Sequence, residues 1–338
     1  MHNRKEWQIM NHTDNLLQLI NGYKLSNALF IAAELKIFDY IDGVNSVETI
    51  SNQLSVDPKA LEIILDVFCS MNLIRKSDDK KYILEAQWKP LLDSRSKSSM
   101  ISLIQLEYYL STNHSGKDRF KDVLKSGRGS DDLNLNAKEG KENVYGCVMD
   151  AGGQYSSVCI AREFNKVKKG TILDVGGGMG THAIKICQFN PQLNIDIVDK
   201  AEMKEQCIKN IKEHGMEDRI HFLTGDIRDI SLEKKYDGIL ESNVLHLFSD
   251  KINQKLLVKL ASALHKGGIL IMHDFFLSED KAKRPVSSIY TLDWMMQGSF
   301  FHAEAQDIKQ WVEAVGLEFI KEVQYERIPT SIIITKKI

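Results

Sequence analysis

Acids and glycines converge at one point of this sequence. The run Ile172-Leu173-Asp174-Val175-Gly176-Gly177-Gly178-Met179-Gly180-Thr181 leads an apolar stretch into a glycine turn, and the acid Asp199 follows 19 residues after Gly180. A strand feeding a glycine turn and then a helix holds nucleotide-like ligands. Glycine lets backbone approach the ligand, and a helix start offers free N–H groups. The spacing excludes a dinucleotide fingerprint, G-x-G-x-x-G, whose third position counted from Gly176 is Thr181. What stands here is D-x-G-x-G-x-G. Asp199 can accept both hydroxyls of a ribose bidentately. Gly225-Asp226-Ile227 sets a carboxylate beside an apolar side chain suited to an adenine ring, and Ser242-Asn243-Val244-Leu245-His246 forms a further polar turn.

These residues need elements to carry them. Strands are expected at Ile172–Val175, Ile195–Val198, Ile220–Leu223, Gly238–Ser242 and Ile269–His273, with helices near Thr181–Phe189, Glu202–His214 and Ile252–His265. Strand and helix alternating at this spacing implies right-handed crossovers and a parallel sheet. Asp174, Asp199, the Gly225 turn and the Ser242 turn then all fall at strand carboxyl ends, where open α/β sheets bind ligands. A helix at Ala305–Ala314 and strands at Glu318–Val323 and Ser331–Thr335 complete this part.

The first hundred residues read differently. Leu16 to Tyr40 keeps a helical period broken near Gly22, Ser46 caps a helix at Val47–Leu54, and Pro58 opens another that runs Lys59–Met71. A small hairpin at Lys76–Leu84 follows. Helix, turn, helix, hairpin is the winged-helix order. Its second helix carries Lys59 against Glu62 and Asp66 and is otherwise mostly apolar, whereas a helix reading a major groove needs Arg, Lys, Asn or Gln on its exposed face. Packing against another subunit suits it better. From Ser94 to Gly140 the chain is polar, and Val144–Phe164 reads as a helix leading into the α/β part.

Composition narrows the classes further. The chain has 338 residues, 43% hydrophobic and 27% charged, with a formal net charge of -2. A basic face for nucleic acid is not implied. No apolar run approaches the ~18 residues of a membrane span, and the polar start has no secretory h-region. Five scattered cysteines without C-x-x-C spacing fit reduced thiols in a cytoplasm, with no metal site.

The D-x-G-x-G-x-G form, with the later motifs in order, resembles the S-adenosylmethionine (SAM)-dependent small-molecule O-methyltransferases of the plant caffeate and bacterial antibiotic type. The resemblance covers nearly the whole chain. It rests on Asp174–Gly180, Gly225-Asp226, Asn243-Val244-Leu245-His246, Lys266-Gly267-Gly268, Asp274-Phe275-Phe276 and the Thr330-Ser331 strand. It implies an α/β, class I methyltransferase, Rossmann-like doubly wound sheet over 166–338. A mainly α winged-helix dimerisation domain over 1–110 and connecting helices over 111–165 precede it. A homodimer, SAM as cofactor and a small aromatic substrate are further implications. Cofactor binding would fall to Asp174, Gly176, Gly178, Asp199, Gly225, Asp226, Ile227, Ser242 and Asn243. His246 matches the family's general base, with Asp274 and Glu304 matching its flanking acids. Met149, Trp294 and Met296 match the acceptor walls. The chain departs from the family at Leu247-Phe248, where Asp-Trp is frequent, and at Ser242, where lysine is frequent.

The chemistry so implied asks for alignment first. Methyl transfer from a sulfonium is an in-line displacement, and holding two reactants collinear contributes ~7–11 kcal/mol. A phenol of pKa ~10 is a poor nucleophile at pH 7, so a histidine base adds about 10²–10⁴-fold. Relatives that bind SAM yet hydroxylate, decarboxylate or cyclise form the alternative, and retention of His246, Asp274 and Glu304 argues against it. A winged-helix regulator is the third reading, disfavoured by the acidic helix.

Overall fold

A computed structural model describes residues 2–96, 98–113, 116–130, 153, 156–325 and 329–338, with side chains at 2–14 and 113 left aside. The chain divides into two compact units, Met1–Asn113 and His114–Ile338.

The first unit begins with a 33-residue helix, α1 (His2–Glu34). The break expected at Gly22 does not occur. A Cβ there would meet nothing within 4 Å, so this glycine only weakens the helix, by about 1 kcal/mol, and the helix runs on to Glu34. α2 (Val47–Leu54) is capped by Ser46, whose hydroxyl accepts the Thr49 N–H. α3 (Pro58–Ser70) is capped by Asp57, which accepts from Ala60 at 2.9 Å, and Pro58 fills the first turn where no N–H is needed. β1 (Ile74–Lys76) and β2 (Tyr82–Leu84) pair antiparallel as the wing. Ile50, Leu65, Phe68, Ile74 and Tyr82 are buried between these pieces. α4 (Lys89–Leu92) and α5 (Ile101–Asn113) close the unit, with Phe30 of α1 against Tyr108 of α5 at 5.5 Å. The wing's Lys76 is held by Glu62 and Asp66 of α3, at 2.9 and 3.3 Å, so that cation is not displayed for a phosphate. α1 and α3 instead expose Leu16, Leu17, Leu19, Ile20, Tyr23 and Ile63, five of them more than half exposed and Leu17 half.

The second unit has α6 (Lys117–Ser126), a helix α7 over 156–164, and a seven-stranded sheet. Its strands are β3 (Gly170–Val175), β4 (Leu193–Asp199), β5 (Ile220–Thr224), β6 (Tyr236–Ser242), β7 (Leu264–Asp274), β8 (Leu317–Gln324) and β9 (Ser331–Lys337), in spatial order β5-β4-β3-β6-β7-β9-β8. All neighbours are parallel except β7 with β9 and β8 with β9. Between them run α8 (Thr181–Phe189), α9 (Lys204–Glu213), α10 (Asp250–Ala263), α11 (Pro285–Gln297) and α12 (Ala305–Ala314).

Alternate residues feed two cores. Leu173, Val175, Ile239, Leu270 and Met272 pack with Leu257 and Ile308 on one face, and Ile172, Ile195, Ile197, Leu240 and Ile271 pack with Phe164, Ile184 and Ile211 on the other. Each such aliphatic side chain, fully buried, contributes roughly 1.5–3 kcal/mol over leaving it in water. The chain leaves β3 toward β4 on one side and returns to β6 on the other. A crevice therefore opens beyond the carboxyl ends of β3 and β6.

Candidate active site

The glycine turn after β3 explains its own spacing. Gly176, Gly178 and Gly180 have φ of 65, 53 and 79°, a left-handed conformation that costs L side chains about 1–2 kcal/mol each. Gly180 caps α8. Gly177 is required for a different reason: a Cβ there would lie 2.8 Å from Asp174 Oδ2 and 2.8 Å from Ile197 Cγ2.

Two acids stand beside this turn in unlike states. Asp174 is fully buried, and neither carboxyl oxygen has a hydrogen-bond partner among the described residues. Burial, and then the charge of Asp199, push it up to about 8. Asp199 is anchored instead, with Oδ2 accepting the Gly178 N–H and Oδ1 the Lys200 N–H, both at 2.7 Å. Burial raises it too, against those two N–H groups. A cationic ligand would favour the ionised form of both acids, Asp174 above all.

Of the other expected cofactor residues, Asp226 is gripped by Arg228 through Nε at 2.9 Å and Nη2 at 2.5 Å, which holds it down to about 2. Ile227 is 7% exposed and packs into the core. Gly225 sits against Ile230, where a Cβ would come within 2.9 Å of Ile230 Cδ1.

At the end of β6 a buried polar chain crosses the sheet. His182 Nε2 lies 2.9 Å from Ser242 Oγ, Ser242 Oγ 2.8 Å from His273 Nδ1, and His273 Nε2 2.7 Å from Thr330 Oγ1. Burial drives His182 down to about 3 and His273 down to about 4, so both are neutral at pH 7. Asn243 then turns the chain with φ 56° and donates its N–H to the His273 carbonyl at 2.8 Å. That turn starts the 3₁₀ segment Leu245–Leu247.

His246 is delivered there onto Asp274. Nδ1 lies 2.7 Å from Asp274 Oδ1, and the His246 N–H reaches Oδ2 at 3.3 Å. A carboxylate only accepts, so Nδ1 carries a proton, and in the neutral ring the lone pair is on Nε2. Register brings the pair together: Ser242 lies opposite His273, which sets Asp274 one step beyond, within reach of the turn. One face of the imidazole stacks on Trp294 at 4.9 Å and 19°, and Phe275 meets it edge-on at 6.2 Å.

The remaining expected residues are engaged as follows. Glu304's carboxylate caps α12 in a box with Asp307 and pairs with Lys281, because it occupies the N-cap position where backbone N–H groups need an acceptor. Trp294 is 3% exposed and lies stacked against the His246 ring. Met296 is 2% exposed, with its carbonyl taken by the Ser130 N–H. Met149 lies outside the described residues. The sequence reading also passed over Glu241, buried on β6 with both oxygens unpartnered. Burial and then the charge of Asp274 push it up to about 8. Its signal was an acid inside an apolar strand run, Gly238-Ile239-Leu240-Glu241.

Among the described residues, no group of acids, histidines and cysteines is arranged to hold a metal ion, and no helix is long and apolar enough to cross a membrane.

The chain matches the sequence profile of the O-methyltransferase domain over residues 135–318 and that of the O-methyltransferase dimerisation domain over 17–90. The rat acetylserotonin O-methyltransferase is 23% identical over 313 residues, covering 89% of this chain and 72% of its own length. The N,N-dimethyltransferase OxyT of Streptomyces rimosus is 23% identical over 317 residues, covering 89% and 90%. The structure of human N-acetylserotonin methyltransferase in complex with SAM superposes with a TM-score of 0.82 at 19% identity, covering 96% of this chain and 97% of that one. With both profiles matched in order and the glycine turn and acids in position, the chain belongs to the SAM-dependent O-methyltransferase family, and it carries that family's dimerisation domain ahead of the catalytic one.

Proposed function

We propose that this enzyme methylates a phenolic hydroxyl of a small aromatic acceptor, with His246 as general base. The observation that carries the reading is the His246–Asp274 pair, which fixes the tautomer and leaves Nε2 unbonded among the described residues. The cofactor supplies an activated methyl group on a sulfonium. Asp199 would offer a carboxylate to that cation, and Asp174 would give up its proton as the cation binds, with Gly176 and Gly178 giving close backbone approach. Asp226, Ile227, Gly225, Ser242 and Asn243 complete the proposed lining. Asp226 enters it already paired with Arg228, and Ser242 through its bonds to His182 and His273.

His246 Nε2 would take the acceptor hydroxyl's proton, while the methyl group leaves the sulfonium for that oxygen and the sulfur keeps the bond's electron pair as a neutral thioether. Asp274 keeps the ring oriented and balances the imidazolium formed. Holding acceptor and methyl in line remains the larger contribution, ~7–11 kcal/mol against roughly 3–5 for 10²–10⁴-fold of base catalysis. A homodimer through the N-terminal unit belongs to the same proposal, supported by its exposed apolar residues on α1 and α3.

Incubation with methyl-labelled SAM and a panel of phenols tests the activity, and His246→Ala tests the base. Turnover should fall by about 10²–10⁴-fold at pH 7 with SAM affinity unchanged, and the loss should shrink toward pH 10 as solvent ionises the phenol. Normal turnover of His246→Ala at pH 7 would overturn the base assignment.

A further inference from the structure

We propose that the indole face of Trp294 stabilises the imidazolium that His246 becomes on taking the acceptor's proton. The inference rests on the reading of His246 as base, and it gives a residue of the helix α11 a part in the proton transfer. Three sides of the imidazole are accounted for. Asp274 holds Nδ1 at 2.7 Å, Trp294 covers one face at 4.9 Å between centroids and 19° between planes, and Phe275 stands at the edge. Nε2 is left for the acceptor.

A tilt of 19° places the ring against the negative face of the indole quadrupole. A neutral imidazole gains little electrostatically from that face, while a cation gains much more. The gain therefore appears as the proton arrives, which is when it lowers a barrier. Burial makes it count. Trp294 is 3% exposed and the His246 side chain 13%, so water screens the contact poorly. Trp294 is itself braced by Phe301 at 5.6 Å and Phe275 at 5.7 Å, and its carbonyl accepts the Gly298 and Ser299 N–H groups that close α11. The indole cannot swing away when the ring it supports becomes charged. Mere filling of space would be served as well by leucine or methionine, and that difference is measurable.

Among the described residues, the titratable groups facing the ring or the side chains around it are Asp274 on its Nδ1, His273 and Glu241 beside Asp274 in the sheet, and Tyr290 against Phe275 and Asp293 next to Trp294 on α11. None of them is altered by changing Trp294 alone. Site-specific incorporation of mono-, di- and tetrafluorotryptophan at position 294 keeps the ring shape and progressively removes the quadrupole. With the full-length protein ¹⁵N-labelled at histidine, His246 is assigned by its loss in His246→Gln. Its ring nitrogen shifts then report the imidazolium-to-imidazole ratio at a fixed pH of about 6. That ratio should fall stepwise with fluorination, by about 2- to 30-fold in total. Trp294→Phe should keep part of it and Trp294→Leu should lose it.

The ring-current shift of the His246 protons, present with tryptophan and absent with leucine, checks that the stack is populated. An unchanged ratio across the fluorinated series with the ring-current shift intact would overturn the inference, as would absence of that shift in the wild type. Neither readout involves turnover. A base assignment lost through an active His246→Ala is thereby distinguished from a failure of the indole effect.

Discussion

Asp174→Asn makes the heaviest demand on this structure. The acid has no exposed surface and no hydrogen-bond partner among the described residues, and burial, then the charge of Asp199, lift it from an ordinary 3.8 to about 8. The unfolded chain ionises the same acid near 3.8. Between there and 8 the folded protein holds a proton that the unfolded chain has lost, so stability falls as pH rises through that window. The contribution is most favourable below about 4 and is exhausted near 8. At pH 7 the difference is roughly 4 kcal/mol, a large share of a typical 5–15 kcal/mol.

Asparagine has nearly the same shape and no proton to hold. The stability of Asp174→Asn relative to wild type should therefore grow by roughly 3 kcal/mol between pH 5 and pH 8, read from urea unfolding at one protein concentration. The cofactor should act on the same group from the other side. A bound cation favours the ionised carboxylate, so SAM binding near pH 7 should release on the order of one proton, measured by calorimetry in two buffers of different ionisation enthalpy. The variant should lose that release together with at least tenfold in affinity. Parallel pH–stability curves for wild type and variant would refute the reasoning, since they would mean that Asp174 titrates alike in the folded and unfolded chain.

Other outcomes follow from neighbouring contacts. Asp199→Ala should weaken SAM binding at least tenfold, because charge-assisted bonds are worth roughly 1.5–3 kcal/mol each and the Gly178 N–H loses its anchor; unchanged affinity by calorimetry would misplace the cofactor. Gly177→Ala should cost about 1–3 kcal/mol through its 2.8 Å approach to Asp174, and less when combined with Asp174→Ala, which removes the obstructing carboxyl; strict additivity would refute the clash. Replacing Leu19 and Ile20 with Asp should convert a light-scattering mass of about twice 38.5 kDa to the single-chain value with the fold retained, and an unchanged mass would move the dimer contact elsewhere.

What could be read from the residues alone tracks how local its cause is. The left-handed turns at Gly176, Gly178 and Gly180 belong to single residues, and only glycine takes them cheaply, so the period-two spacing announced itself. Apolar runs such as Leu270–Met272 are strands buried on both faces, as a parallel sheet requires. The cap at Glu304 is local too. Glu304-Ala305-Gln306-Asp307 is a cap with an acid three residues on, directly before the apolar period of α12.

The rest depends on register and on packing across long separations. His246 meets Asp274 because β6 and β7 run parallel with Ser242 opposite His273; one residue of slip would turn Asp274 to the other face. Only the family resemblance brought those two residues together from the sequence. Trp294 reaches His246 across 48 positions through a helix held by Phe275, Phe301 and the bond from the Ser287 hydroxyl to the Pro329 carbonyl. Nothing in Asp293-Trp294-Met295 distinguishes an indole that walls a substrate from one that backs a base. Glu241 went unread for the same reason, since an acid in a strand is exposed or buried according to what covers it, and here β3 and β7 flank it while the 3₁₀ turn follows. The backbone framework of this site is therefore written residue by residue. Its electrostatics, with Asp174 and Glu241 held protonated and His246 set between a carboxylate and an indole, arise only when the sheet register is in place.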